Sequence, residues 1–140
     1  MVETMWIQGL PAPKGSARAI IRGKKALLLA SSSDTNKRRQ SAWYAAVRAG
    51  SIKLWSPRKP RPRSEEIEID MEFLLPLPPS VRRDYPTVPP DLDKLVRSTL
   101  DALTGVLWDD DAQVCSLSAE KRYAPPGAKS GVLITLRLPL

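Results

Sequence analysis

Pro90-Asp91-Leu92-Asp93-Lys94-Leu95-Val96-Arg97-Ser98-Thr99-Leu100-Asp101-Ala102-Leu103-Thr104-Gly105 is the stretch that decides how this chain folds. Leu92, Leu95, Val96, Thr99, Leu100 and Leu103 recur at i, i+3, i+4, i+7, i+8 and i+11, the spacing of one face of an amphipathic helix. Pro90 turns its predecessor away from helical backbone and Gly105 supplies a stop, so the spacing predicts a helix that starts at or just after Asp91. At about 100° per residue, Asp93, Arg97 and Asp101 follow one another along the opposite face with Lys94 beside them. One face packs, and the other presents charge.

Upstream of this helix, Ile67, Ile69, Met71 and Phe73 alternate with Glu68, Asp70 and Glu72, a period of two that marks a strand with one buried face and a solvated acidic one. Downstream, residues 113–123 and 132–138 read as two further strands joined through Pro125-Pro126-Gly127. A first strand is expected at 5–10. A hairpin follows at 17–21 and 26–30 around the basic tip Arg22-Gly23-Lys24-Lys25. Ser33-Asp34 offers an N-cap to a helix that runs to about Arg48, with Trp43, Ala46 and Val47 as its apolar stripe and Gly50 as its stop. The expected architecture is α/β in the broad α+β sense: a single domain over 1–140, with a small mixed sheet and two main helices. Trp6, Trp43, Trp55 and Trp108 are expected in the core.

Composition narrows the chemistry. The 140 residues contain no His and one Cys, so imidazole bases, Ser-His and Cys-His nucleophile pairs and Cys/His zinc sites are all excluded, and Cys115 has no partner for an internal disulfide. Carboxylate, Lys and Arg chemistry remains. No run approaches the roughly 18 to 20 apolar residues of a membrane-spanning helix and no signal pattern follows Met1, so a cytoplasmic location away from membranes is expected.

Net charge is +7, with a pI near 9.9, which points to a polyanionic partner. The total conceals an asymmetry. Asp91, Asp93, Asp101, Asp109, Asp110 and Asp111 face only Lys94 and Arg97 in the 91–111 segment, a local charge of −4 that leaves +11 for the other 119 residues. An anionic pocket in a cationic body suits an enzyme that attracts phosphate backbone broadly and holds divalent cations at one place. A helix N-terminus complemented by Asp91 and Asp93, with a solvated turn at 109–111, accounts for the same charges without chemistry.

Asp91 and Asp93 sit at the helix mouth, where a two-residue step lets both carboxylates turn toward one point. A hard cation takes oxygen ligands of this kind. A third carboxylate must come from elsewhere, and Trp108-Asp109-Asp110-Asp111 returns to the same end only if the following strand packs alongside the helix.

The motifs Pro90-Asp91-Leu92-Asp93-Lys94-Leu95, Arg97, Leu100-Asp101-Ala102-Leu103-Thr104 and Trp108-Asp109-Asp110-Asp111-Ala112-Gln113-Val114 together resemble the signature of the RusA family, small Holliday-junction resolvases of bacteria and their phages. The detailed likeness covers about 25 residues, and the order of elements agrees more loosely beyond them. The resemblance implies a homodimer that nicks four-way DNA junctions symmetrically during recombination and repair, leaving 5′-phosphate and 3′-hydroxyl ends. It also implies magnesium, with manganese as a substitute, held by Asp91, Asp93 and Asp111 with help from Asp110. Lys94 stands where the family has Asn, and Arg97 where it has Lys. Arg97 neutralises a phosphate but, unlike Lys, does not donate its proton, so Lys94 shares the catalytic duty.

Candidate DNA contacts are the basic clusters: Lys14 in the first loop, Lys24 and Lys25 at the hairpin tip, Lys37, Arg38 and Arg39 at the start of the first helix, Arg58, Lys59, Arg61 and Arg63 in a proline-rich loop, and Arg82 and Arg83 in another. Two other activities share these features. One is a nuclease without junction preference; the other is a catalytically silent DNA-binding protein.

Overall fold

The computed structural model describes residues 1–13, 17–22, 25–30 and 34–139. The alternating stretch Ile67–Leu75 forms β4, an inner strand of a four-stranded sheet ordered β1-β6-β4-β5, where β1 is Val2–Gln8, β5 is Val114–Tyr123 and β6 is Gly131–Arg137. β6 pairs antiparallel with both β1 and β4, while β4 and β5 run parallel. Parallel neighbours need a crossover, and the chain supplies one in α2, Leu92–Leu103. The β4-α2-β5 unit therefore sets the N-terminal end of α2 beside the C-terminal ends of two parallel strands, the place where open α/β sheets commonly receive ligands.

The period of two sorts the sheet into a covered and an open face. Ile67, Ile69, Met71 and Phe73 of β4 and Val132, Ile134 and Leu136 of β6 are all buried on one side, against Trp43, Val47 and Trp55 of α1 (Asp34–Trp55) and Leu95, Ala102 and Leu103 of α2. Each fully buried side chain of this size contributes about 1.5–3 kcal/mol. On the other side Glu68, Asp70 and Glu72 share the surface with Arg122 and Arg137, which pair with them. Three of the four tryptophans are core residues; Trp6 instead lies on the open face, 39% exposed, over Gly131.

The helices are joined by polar ties as well as by packing. The Trp43 indole donates to the buried Thr99 hydroxyl at 3.1 Å, and the Arg48 guanidinium donates to the carbonyls of Thr104 at 2.9 Å and Ala102 at 3.3 Å. Arg48 thus satisfies carbonyls that the end of α2 leaves without helical partners.

α2 covers the span that its leucine spacing predicts. α1 departs from expectation, because Gly50 does not stop it and the helix continues to Trp55. A Cβ at residue 50 would lie 3.1 Å from Ile7 Cγ2, so the glycine serves close packing of the helix on β1 rather than termination. Pro57 then ends the element. The expected hairpin is present as a separate two-stranded sheet, β2 (Ala17–Arg22) with β3 (Lys25–Ala30).

Candidate active site

Asp91 is the N-cap residue of α2, with extended backbone (φ −71°, ψ 139°) and no side-chain bond to the helix amides. Its carboxylate is left to other partners, and the one it has among the described residues is Lys94, with Nζ 3.6 Å from Oδ2. Asp93 follows in the first turn, exposed and without a side-chain partner among the described residues. Both negative charges are favoured there by the helix dipole. The preceding loop is held from below by β5, whose Lys121 ammonium donates to the carbonyls of Val88 at 2.9 Å and Pro90 at 2.8 Å.

A groove of about 650 Å³ opens next to this helix mouth. Arg39 of α1, Arg83 of the proline-rich loop and Lys94 of α2 bring positive charge to it, and Pro11, Pro90 and Tyr123 form parts of its walls. Arg83 Nε donates to the Tyr123 hydroxyl at 2.8 Å, which fixes the guanidinium at the rim. Lys37, Arg38 and Arg82 are exposed nearby in sequence but do not line the groove. Arg97 is exposed one turn into α2, between Asp93 and Asp101.

The other acids lie elsewhere. Asp111 opens a 3-10 turn, Asp111–Gln113, and its Oδ1 accepts hydrogen bonds from the Trp108 indole at 3.1 Å and from the hydroxyl of Thr104, the residue that ends α2. Asp110 caps that turn through the Ala112 amide at 3.0 Å. Gln113, buried, receives the Asp109 and Asp110 amides at 2.9 Å each and donates to the carbonyls of Pro62 at 2.8 Å and Glu65 at 3.1 Å. This network fastens the three consecutive acids to the C-terminal end of α2.

Asp91 and Asp93 are therefore separated from Asp111 by the length of α2, twelve residues or about 18 Å. Ligands of one magnesium ion, each about 2.1 Å from it, lie only about 4 Å apart across the ion. The expectation that the three aspartates meet within one chain is not met, and no group of three or more acids among the described residues is arranged to hold a metal ion. The reason is strand direction. β5 does pack along α2, but it begins at the helix's C-terminal end and runs back toward its mouth, so that Lys121 reaches Pro90 while Asp111 stays behind.

The basic loop at 56–64 belongs to the same far end, since the Arg61 amide bonds the Leu107 carbonyl at 2.9 Å. Two of its candidate DNA contacts hold the fold. Arg58 stacks 3.7 Å over the Trp55 ring and donates to Glu3 at 2.9 Å; Arg61 forks onto Glu65 at 2.6 and 2.7 Å. Lys59 and Arg63 project outward, with Arg63 3.7 Å from Asp110. Lys14 and Lys24 lie outside the described residues, and Lys25 opens β3.

Sequence reasoning missed Lys121, Tyr123 and Thr104. Lys121 and Tyr123 sit in a strand whose pattern carries no chemical signal, and Thr104 enters the sequence reading only as the last residue of a family-like motif, with no role of its own.

No curated protein matches the chain. The family model described as Endodeoxyribonuclease RusA matches residues 11–137, a span that contains every residue lining the groove but Leu10, both acidic ends of α2 and every strand of the main sheet except β1. The chain belongs to the RusA endodeoxyribonuclease family.

Proposed function

We propose that this protein is a magnesium-dependent endodeoxyribonuclease that resolves four-way DNA junctions by paired nicks, leaving 5′-phosphate and 3′-hydroxyl ends. The observation that carries the reading is the adjacency, at the mouth of α2, of two exposed carboxylates and a groove edged by Arg39, Arg83 and Lys94. Family membership supplies the reaction class, phosphodiester hydrolysis. Oxygen is the only donor type the site offers, which suits magnesium or manganese over softer metals.

Each side chain has a distinct task in this reading. Arg39 and Arg83 bind backbone phosphates, and the Tyr123 hydroxyl keeps the Arg83 guanidinium at the rim. Arg97, always charged, neutralises a nonbridging phosphate oxygen, while Lys94 is the group able to give a proton to the departing 3′ oxygen. Lys121 positions Asp91 by holding the carbonyl that precedes it.

The test is cleavage of a synthetic immobile four-way junction and of linear duplex with the same arm sequences, in magnesium and in EDTA. Paired cuts confined to the junction and abolished by EDTA are expected. Equal cutting of the duplex replaces the junction reading with that of an unselective nuclease, and a gel shift without cleavage replaces it with that of a binding protein. Asp93→Asn is expected to lose cleavage by about 100-fold or more while binding the junction at least as tightly, because an anionic repulsion against phosphate has gone.

A further inference from the structure

We infer that the groove beside the mouth of α2 takes in one unstacked nucleobase of the DNA strand to be cut, and that Gln40 of α1 reads the edge of that base. This rests on the nuclease reading and adds to it a means of choosing where along a strand the cut falls.

The lining suits a ligand with a flat apolar body and negative charge at its margins. Arg39, Arg83 and Lys94 bring positive charge from α1, the proline-rich loop and α2, and no carboxylate lines the groove among the described residues. Between these cations the surface is apolar. Seven prolines line the groove, and Leu10 and Val88 in its walls are 45% and 38% exposed. A surface that only gripped phosphates would have no use for such walls. A nucleotide within a strand matches both parts, since its base is an apolar disc with a phosphate on either side. Bases inside a duplex do not match, because stacked neighbours cover their faces; where a duplex branches, those neighbours part. Pro90 and Lys94 both line the groove and bracket Asp91 and Asp93, so the base it holds belongs to a nucleotide next to the scissile phosphate.

The walls are fixed before any ligand arrives. Ser98 Oγ donates to the Ala12 carbonyl at 2.7 Å, which ties the 11–13 wall to α2. The Lys121 ammonium holds the Val88 and Pro90 carbonyls at 2.9 and 2.8 Å, and the Ala124 amide holds the Leu75 carbonyl at 2.7 Å. Proline fixes φ, so these walls lose little freedom when the groove fills. At about 650 Å³ the groove falls within the range of small-ligand sites, roughly 300–1,000 Å³. Tyr123 adds an aromatic ring to the lining, and its hydroxyl accepts from Arg83 Nε at 2.8 Å, so ring and guanidinium are set together. Gln40 is half-buried on the α1 side, and its amide makes no hydrogen bond among the described residues. That amide presents a donor beside an acceptor, which is the complement of a base edge.

A four-way junction carrying 5-iodouracil at one position at a time across the branch point is bound in EDTA, irradiated, and the coupled residue found by mass spectrometry, with no cleavage involved. Coupling to Tyr123 from a single position is expected. No coupling to Tyr123, or equal coupling from positions throughout the arms, overturns the inference. Val88→Trp, a change at an exposed site that fills the groove, should lower the coupling at least about tenfold, and undiminished coupling is equally damaging. With magnesium, an abasic residue at the coupled position should slow wild-type cleavage at least about tenfold, whereas an unchanged rate counts against a captured base. Gln40→Leu should bring the rates for the four bases at that position within about threefold of one another, from a wild-type spread of about tenfold or more. An equal slowing for all four bases is a structural loss and removes Gln40 as the reader. Coupling to Tyr123 by a protein that cuts nothing leaves the base site standing and fells the resolvase reading; junction cleavage without coupling does the reverse.

Discussion

Asp91 and Asp111 are chemically alike, and their surroundings give them different work. Asp91 caps a helix without bonding its amides and, among the described residues, meets only an ammonium at 3.6 Å, so its carboxylate remains available to an external ligand. Asp111 spends one oxygen, Oδ1, on the Trp108 indole and the Thr104 hydroxyl. Removing Asp111 therefore has two effects, one on the site and one on the fold, and Asp111→Ala is expected to cost about 1–3 kcal/mol in a denaturant melt through the lost partner of a largely buried indole. Lys121 is a cleaner probe of positioning. Lys121→Met releases the Val88 and Pro90 carbonyls without opening the core, and is expected to slow junction cleavage about tenfold, in kcat rather than KM, with a midpoint shift of under about 1 kcal/mol. A large loss of stability with unchanged kcat counts against the positioning role.

Elements were legible in the sequence wherever one period dominated. The leucine spacing of α2 and the alternation in β4 recovered both, because each buries a single face against one layer. Gly50 misled for a physical reason: a glycine's meaning depends on what would touch its Cβ, and Ile7 lies more than forty positions away in sequence. The candidate site was half legible. Residue types and the helix mouth were readable, but strand direction depends on topology, and it was the direction of β5 that parted Asp111 from Asp91. Gly131 follows the same logic as Gly50, since a Cβ there would collide with the Ile7 carbonyl oxygen; Gly131→Ala is expected to destabilise by about 2 kcal/mol or more by forcing β1 from β6. Asp70, on the open face of β4, offers a pH test. Hydrogen bonds from Ser118 at 2.6 Å and Arg137 at 2.7 Å hold its carboxyl below the ordinary value of 3.8. Its stabilisation is therefore present above that value and lost as pH falls through the lower folded one, so Asp70→Asn should be less stable than wild type near neutrality and converge with it in acid, as melts across pH will read.

At the scale of the molecule, charge is arranged in poles. The groove pole carries Arg39, Arg83 and Lys94 around Asp91 and Asp93; the far pole carries the 58–63 loop around Asp109, Asp110 and Asp111. Junction affinity is expected to fall steeply with salt, and Arg39→Ala and Arg83→Ala should each reduce the slope of log K against log salt by about one, whereas Arg58→Ala, already committed to Glu3 and Trp55, should change stability more than slope. Filter binding between low and physiological salt distinguishes them. The poles are joined by α2, a rod whose extent is fixed by backbone hydrogen bonds. Because both poles hang on this rod, lengthening α2 by one turn would carry Asp91 and Asp93 about 5.4 Å farther from Asp111.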